Sequence, residues 1–196
     1  MNSILLLINS IVGISIFAVV AAVGVDFLFF QERNDQKKEK KSPVATFTMF
    51  LFFFLFYTIE RNGWGVLQIP AGKERNGMII CGLLFMLLGA GLNIFGRFNL
   101  GKNWSDHIKI YQSHQLVTSG AYSWVRHPLY ASLIWMFYGS AMIYANLPAF
   151  LLNTFIFLPA MYFRAKQEEK MLAREFSGYE EYKKKVGMFW PRFFTG

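Results

Sequence analysis

Arg126-His127-Pro128-Leu129-Tyr130 places a cation, an imidazole and a phenol within one pentapeptide. His127 precedes a proline, which pushes its own backbone out of the helical region. Its imidazole therefore sits at a fixed bend, where it could hydrogen-bond a ligand or act as a base. An interfacial histidine ending a helix is the plain structural alternative. Arg126 could bind an anionic group or merely snorkel at a membrane boundary. Tyr130 lies one turn further on and could reach the same pocket, although tyrosine is ordinary at such a boundary. Glu168-Glu169 is the second candidate. Glu168 stands four residues after Arg164, so an exposed helix ion pair explains it fully. Chemistry there requires the chain to fold back beside His127.

Other chemistries are poorly supported. His107 and His114 are the remaining histidines, and no metal-ligand spacing emerges. Cys81 is the lone cysteine. It excludes a disulfide framework, a CxxC redox pair and a cysteine zinc site, and reads as a small core residue. Gly89-Ala90-Gly91 falls inside an apolar run with no strand before it, so it favours close helix packing rather than a dinucleotide loop. No P-loop, GxSxG or HExxH occurs.

The elements that must position these residues are membrane helices. The chain is 54% hydrophobic and carries 22 Phe, gathered into blocks. A helix needs about 20 apolar residues to cross a bilayer core. Apolar runs predict spans at about 4–30, 43–60, 77–97, 128–145 and 147–164. The expectation is an all-α integral membrane protein of five spans, forming one domain over 1–196. The first run lacks a basic leader and exceeds a signal-peptide core, so it reads as a retained span. Ala145-Asn146 is too short for anything but a helical hairpin between the last two spans, with Pro148 in the first turn of the return. Pro159 should kink the last span and free a carbonyl near residue 155.

Two larger polar regions remain, 98–125 and 164–196. In the first, residues 108–111 alternate and could be extended, and residues 115–122 read as a turn leading to Pro128. In the second, residues 164–176 continue the last span as a helix with Ala165, Met171, Leu172 and Phe176 on one stripe. Gly178 ends it, and residues 179–185 form a short further helix. The run 31–41 reads as frayed helix ends around a basic loop.

The net charge of +8 raises nucleic acid as a partner. Its distribution argues instead for topology. All 20 Lys and Arg except Arg61, Lys73 and Arg75 lie in the 31–41 connector, around the 98–125 segment, or in the tail. By the positive-inside rule the N-terminus is outside and the C-terminus inside, with the basic excess facing anionic lipid. Both large polar regions then share the cytoplasmic face.

The ordered combination Asn103-Trp104-Ser105, His114-x-Leu116-Val117-x-x-Gly120-x-Tyr122, Arg126-His127-Pro128-x-Tyr130, Glu168-Glu169, Tyr182 and Pro191 resembles the isoprenylcysteine carboxyl methyltransferase family. Phospholipid N-methyltransferases share much of the same half. The resemblance covers roughly residues 99–192 and implies S-adenosyl-L-methionine as methyl donor, in a cytoplasmic pocket. By that resemblance Leu116, Val117, Gly120 and Tyr122 shape the pocket. His127, Pro128 and Tyr130 contact the cofactor, and Glu168 and Glu169 its polar end. Arg126, Glu168 and Arg192 carry the catalytic roles, and a lipophilic acceptor enters sideways from the bilayer. One departure stands out: Met188 occupies the position where the family tail has an arginine, and Arg192 is the nearby substitute.

Methyl transfer is an in-line displacement that needs alignment and water exclusion. A carboxylate acceptor arrives deprotonated, whereas an amine must first lose a proton, to which His127 or Glu168 could contribute. A prenylcysteine-type carboxylate is the leading acceptor. A phospholipid amine or a small thiol is the alternative. Sterol-reductase-like chemistry would need a nicotinamide cofactor. A transporter or scaffold would need buried charges along the spans, and few are present.

Overall fold

A computed structural model of the chain describes residues 3–30, 36–40, 43–101, 108–111 and 116–192. The elements in order are α1 (Ser3–Phe30), β1 (Gln36–Lys40), α2 (Pro43–Asn62), α3 (Lys73–Leu100), β2 (Ile108–Tyr111), α4 (Ala121–Trp124), α5 (Pro128–Ile143), α6 (Leu147–Leu152), α7 (Leu158–Glu175) and α8 (Tyr179–Lys185).

The centre of the molecule is the α3–α5 pair. Gly82, Gly89 and Gly96 recur every seven residues, which keeps them on one helix face. A Cβ at Gly82 would lie 2.7 Å from the Gly139 carbonyl oxygen, and one at Gly89 would lie 2.7 Å from that of Ser132. At Gly96 the neighbour is the Pro128 ring, at 3.2 Å. The partners run backwards along α5, so the helices are antiparallel with their backbones nearly touching. Small residues allow this approach where lipid offers no hydrophobic drive to associate. A polar tie crosses the seam: buried Asn93 donates to Ser132 Oγ at 2.7 Å, and Arg97 Nε donates to Asn93 Oδ1 at 2.8 Å.

The other helices wrap this pair. α1 touches α3 through Ile8, Val12, Ser15 and Val19, a stripe spaced four, three and four. Its remaining faces, including Ile4, Leu7, Phe17 and Val20, are exposed, as suits lipid. α2 contributes Phe52 and Phe56 to a ring cluster with Phe137 and Phe157, with Phe52 and Phe157 stacked at 4.5 Å. The α5–α6 turn is closed by Asn146, whose Oδ1 accepts from Ala149 N–H at 3.0 Å.

The helical hairpin of the last two apolar segments therefore forms as expected. Between α6 and α7 the backbone makes a π-helical turn over Asn153–Phe157. Pro159 brings no N–H, and the wider turn just before it accommodates the lost hydrogen bond. Asn153 Nδ2 donates there to the Ile134 carbonyl at 3.1 Å.

Among the described residues, three helices are long and apolar enough to cross a membrane, Ser3–Val25, Lys73–Leu100 and Leu147–Glu175. Pro128–Ile143 is apolar but shorter. The helical architecture stands as expected, and one local expectation is corrected. β1 pairs antiparallel with β2, Gln36 opposite Tyr111 and Lys40 opposite Ile108. Residues 36–40 are thus a strand rather than frayed helix or loop. A run of charges cannot bury a helix face, but it can join a ladder that the alternating segment 108–111 offers it. The expectation for 108–111 stands.

Candidate functional site

The bend before α5 is built by the proline and held by the tail. Val125 is extended and bridges Gly187 in parallel. Arg126 N–H donates to the Gly187 carbonyl at 2.8 Å, and His127 N–H to the Met188 carbonyl at 3.2 Å. The residues after α8 therefore zip onto the residues before α5. Pro128 opens α5 at its first turn, where a missing N–H costs nothing. Ahead of this, Gly120 has φ +60, and any Cβ there would collide with the Asn99 side chain. Asn99 Oδ1 accepts from Ala121 N–H at 2.8 Å, so the end of α3 caps the start of α4.

His127 is 6% exposed and lies between two carboxylates. Its Nδ1 is 3.3 Å from Glu168 Oε2, and its Nε2 is 3.4 Å from Glu169 Oε1. The second approach is an ion-pair distance without hydrogen-bond alignment, and Nε2 has no hydrogen-bond partner among the described residues. Burial alone would lower the imidazole pKa. Its pairing with Glu168 and Glu169 outweighs burial and holds it above the ordinary 6.5.

The two glutamates face different ways. Glu169 is 2% exposed, and its Oε1 receives Arg126 through Nε at 2.9 Å and Nη2 at 2.8 Å. Arg126 Nη1 donates to the carbonyls of Lys183 and Val186. This arginine thus binds α7 to the end of α8 and fixes the bend from which it projects. Glu168 is 23% exposed and forms the outer carboxylate. Tyr130 O–H donates to Glu168 Oε1, and Arg164 Nε donates to Tyr130 Oη at 2.8 Å. The Tyr130 ring stacks over His127 at 5.7 Å, with 12° between planes. Tyr182 O–H donates to the Tyr122 carbonyl at 2.6 Å. Burial raises the Tyr179 and Tyr182 phenols above 10.0, with Glu169 adding and Arg126 opposing, so both stay neutral.

Arg126, His127, Tyr130, Glu168 and Glu169 thus meet in one cluster, with Pro128 buried at its base. Tyr122 is buried beside the tail, and Leu116 and Val117 are partly buried in the segment leading to Gly120. Arg192 is exposed and donates to the Lys184 carbonyl at the end of α8. Met188 packs on the core and serves His127 through its backbone carbonyl. Asn103, Trp104, Ser105, His107 and His114 lie outside the described residues.

Sequence reasoning passed over Asn99 and Gly187. Asn99 locks against Gly120, which the sequence pattern did single out, but nothing local pairs the two. Gly187 sits where a Cβ would strike the Trp190 carbonyl, and a glycine between apolar tail residues was the available clue. Arg164 was noted as an ion-pair partner, but its hydrogen bond to Tyr130 depends on the hairpin.

Glu168 presents a partly exposed carboxylate of the kind an ammonium-bearing cofactor needs. His127 Nε2 is buried with no hydrogen-bond partner among the described residues, and Glu169 Oε2, likewise without one, lies 3.9 Å from Lys183 Nζ and 4.0 Å from Lys166 Nζ. No group of three or more metal-ligating side chains occurs among them.

Residues 81–174 match the model of the isoprenylcysteine carboxyl methyltransferase family. The chain is 32% identical to the protein-S-isoprenylcysteine O-methyltransferase of Saccharomyces cerevisiae over 57% of its own length and 48% of that protein. It is 30% identical to the Homo sapiens enzyme of that name over 68% of its length and 46% of that protein. The Xenopus laevis enzyme is 32% identical over 60% and 42%. The chain thus spans about half the length of the curated relatives it matches.

Proposed function

We propose, from the match of residues 81–174 to the isoprenylcysteine carboxyl methyltransferase family, that this chain is an S-adenosylmethionine-dependent membrane methyltransferase. Its acceptor is a lipophilic, prenylcysteine-type α-carboxylate. The chain crosses the bilayer five times, with the N-terminus outside and the site on the cytoplasmic face. The observation that carries the reading is the convergence of the His127 bend and the Glu168-Glu169 pair at the end of an apolar bundle.

When bound, S-adenosylmethionine supplies the activated methyl group. Leu116, Val117, Gly120 and Tyr122 shape its pocket, His127 and Tyr130 line it, and Glu168 holds its ammonium. Arg126 and Glu169 fix the bend and the tail around it. An α-carboxylate acceptor, with a pKa of about 3.5, arrives deprotonated and asks no proton of the cluster. Arg192, exposed at the end of α8, is the arginine nearest in sequence to the position that Met188 occupies.

Titration of the detergent-purified protein with S-adenosylhomocysteine, beside His127→Ala, tests the reading. Saturable binding that the variant loses supports it. A folded wild type that ignores S-adenosylhomocysteine and binds NADPH would return the chain to reductase chemistry. Methyl transfer to N-acetyl-S-farnesylcysteine and not to phosphatidylethanolamine supports the carboxylate acceptor, and the reverse result replaces it with the amine.

A further inference from the structure

The tail does more than close the bend. After the charged end of α8, the Gly187–Trp190 turn sends two aromatic rings in different directions. Phe189 is buried, with its ring 6.2 Å from that of His127. Trp190 is 46% exposed and lies on the apolar helices instead. It stacks on Trp135 at 5.3 Å and 23°, and meets Phe85 edge-on at 6.2 Å. Trp135 is eight residues beyond His127 along α5, about 12 Å at the helical rise. Beside Phe85 on α3, Leu84 and Leu88 are exposed to the bilayer side. Trp190 therefore covers Trp135 where α3 and α5 meet, with one face of its indole exposed.

An interfacial tryptophan alone would be unremarkable. Beneath this one, however, the Trp135 Nε1–H is buried with no acceptor among the described residues. A buried tryptophan N–H ordinarily finds a partner, because leaving it without one is costly in an apolar setting. An unsatisfied donor under an exposed aromatic cover, next to the proposed site, suits a ligand with an apolar chain and a polar atom near its head.

We propose that Trp190 and Trp135 form the acceptor subsite. The Trp190 indole is the lipid-side wall that the acceptor's apolar chain passes, and Trp135 Nε1–H donates to a polar atom near the acceptor's head. This rests on the methyltransferase reading with a prenyl-type acceptor. Trp190 is then a specificity-determining residue for chain length.

The test compares wild type, Trp190→Ala, Trp190→Phe and Trp135→Phe. Each is assayed with N-acetylcysteine carrying geranyl, farnesyl or geranylgeranyl chains, and titrated with S-adenosylhomocysteine. Trp190→Ala should change the ratio of kcat/KM between the shortest and longest chains by about tenfold, the scale of discrimination a hydrophobic contact supplies. Trp190→Phe should restore part of it, and the S-adenosylhomocysteine Kd should stay unchanged. Trp135→Phe keeps a ring and removes the donor, so KM should rise alike for all three chains. An unaltered chain-length ratio in Trp190→Ala overturns the proposal, as does a parallel loss of S-adenosylhomocysteine binding in both Trp190 variants. So does a wild type that binds S-adenosylhomocysteine yet methylates none of the three probes. A wild type that does not bind S-adenosylhomocysteine fails at the broader reading instead.

Discussion

The two ends of the α3–α5 pair are both polar, and they are polar in different ways. At one end, His127, Arg126, Tyr130, Glu168 and Glu169 face one another from α5, the bend before it and α7. At the other, the side chains mostly serve backbone. Arg75 donates to the carbonyls of Met142 and Ile143, and Asn146 caps α6. Glu60 accepts from Ser140 Oγ at 2.6 Å, and Tyr144 O–H donates to Asn9 Oδ1 at 3.1 Å. A capping end satisfies carbonyls that a helix leaves open. An end where charges face charges spends desolvation to hold a geometry, and that is where ligand chemistry is expected.

The largest expected effect comes from breaking the charged end at its most buried member. Glu169→Ala leaves Arg126 without its counter-ion and His127 with Glu168 alone, and should destabilise by about 3–5 kcal/mol. Thermal unfolding in detergent should show it, and S-adenosylhomocysteine binding should vanish with it. His127→Ala should weaken S-adenosylhomocysteine binding more than tenfold, the order expected for a lost charge-assisted contact of about 1.5–3 kcal/mol. Its stability effect should depend on pH. A pKa raised above 6.5 on folding contributes stability that is complete below that value and is lost as pH rises through the folded pKa. The stability gap between wild type and His127→Ala should therefore be widest below pH 6.5 and narrow above it. A gap that widens with pH would reverse the assignment.

Smaller effects belong to the capping end. Asn146→Ala removes an N-cap and should cost about 1 kcal/mol, leaving the S-adenosylhomocysteine Kd unchanged. Glu60→Gln keeps an acceptor for Ser140 and should leave the S-adenosylhomocysteine Kd and methyl transfer unchanged. If Glu60→Gln instead abolished methyl transfer, the contrast between the ends would collapse, and the far end would hold chemistry too.

Much of the site was legible in residue types. The His127-Pro128 dipeptide announces a bend, and the short Ala145-Asn146 link requires the hairpin that brings Glu168 back to it. The glycines were half legible. Gly89 was recognised as a packing residue, but the seven-residue recurrence of Gly82, Gly89 and Gly96 carries the α3–α5 contact. Gly91 has open space around it. Residues 36–40 misled because a charge-rich run carries no periodicity of its own, and its strand exists only against 108–111.

Local chemistry and hydropathy determine which segments are apolar helices, where they bend and which side chains are available at their ends. These follow from solvation and backbone sterics, which act residue by residue. Tertiary structure alone decided that Glu169 rather than Glu168 is the buried carboxylate. It likewise decided that Arg126 grips the tail, and that Trp190 returns to the membrane helices over Trp135. Those outcomes depend on contacts between residues 40 to 60 positions apart, set by how closely two glycine-faced helices approach and by where the tail can pair. No local pattern encodes them.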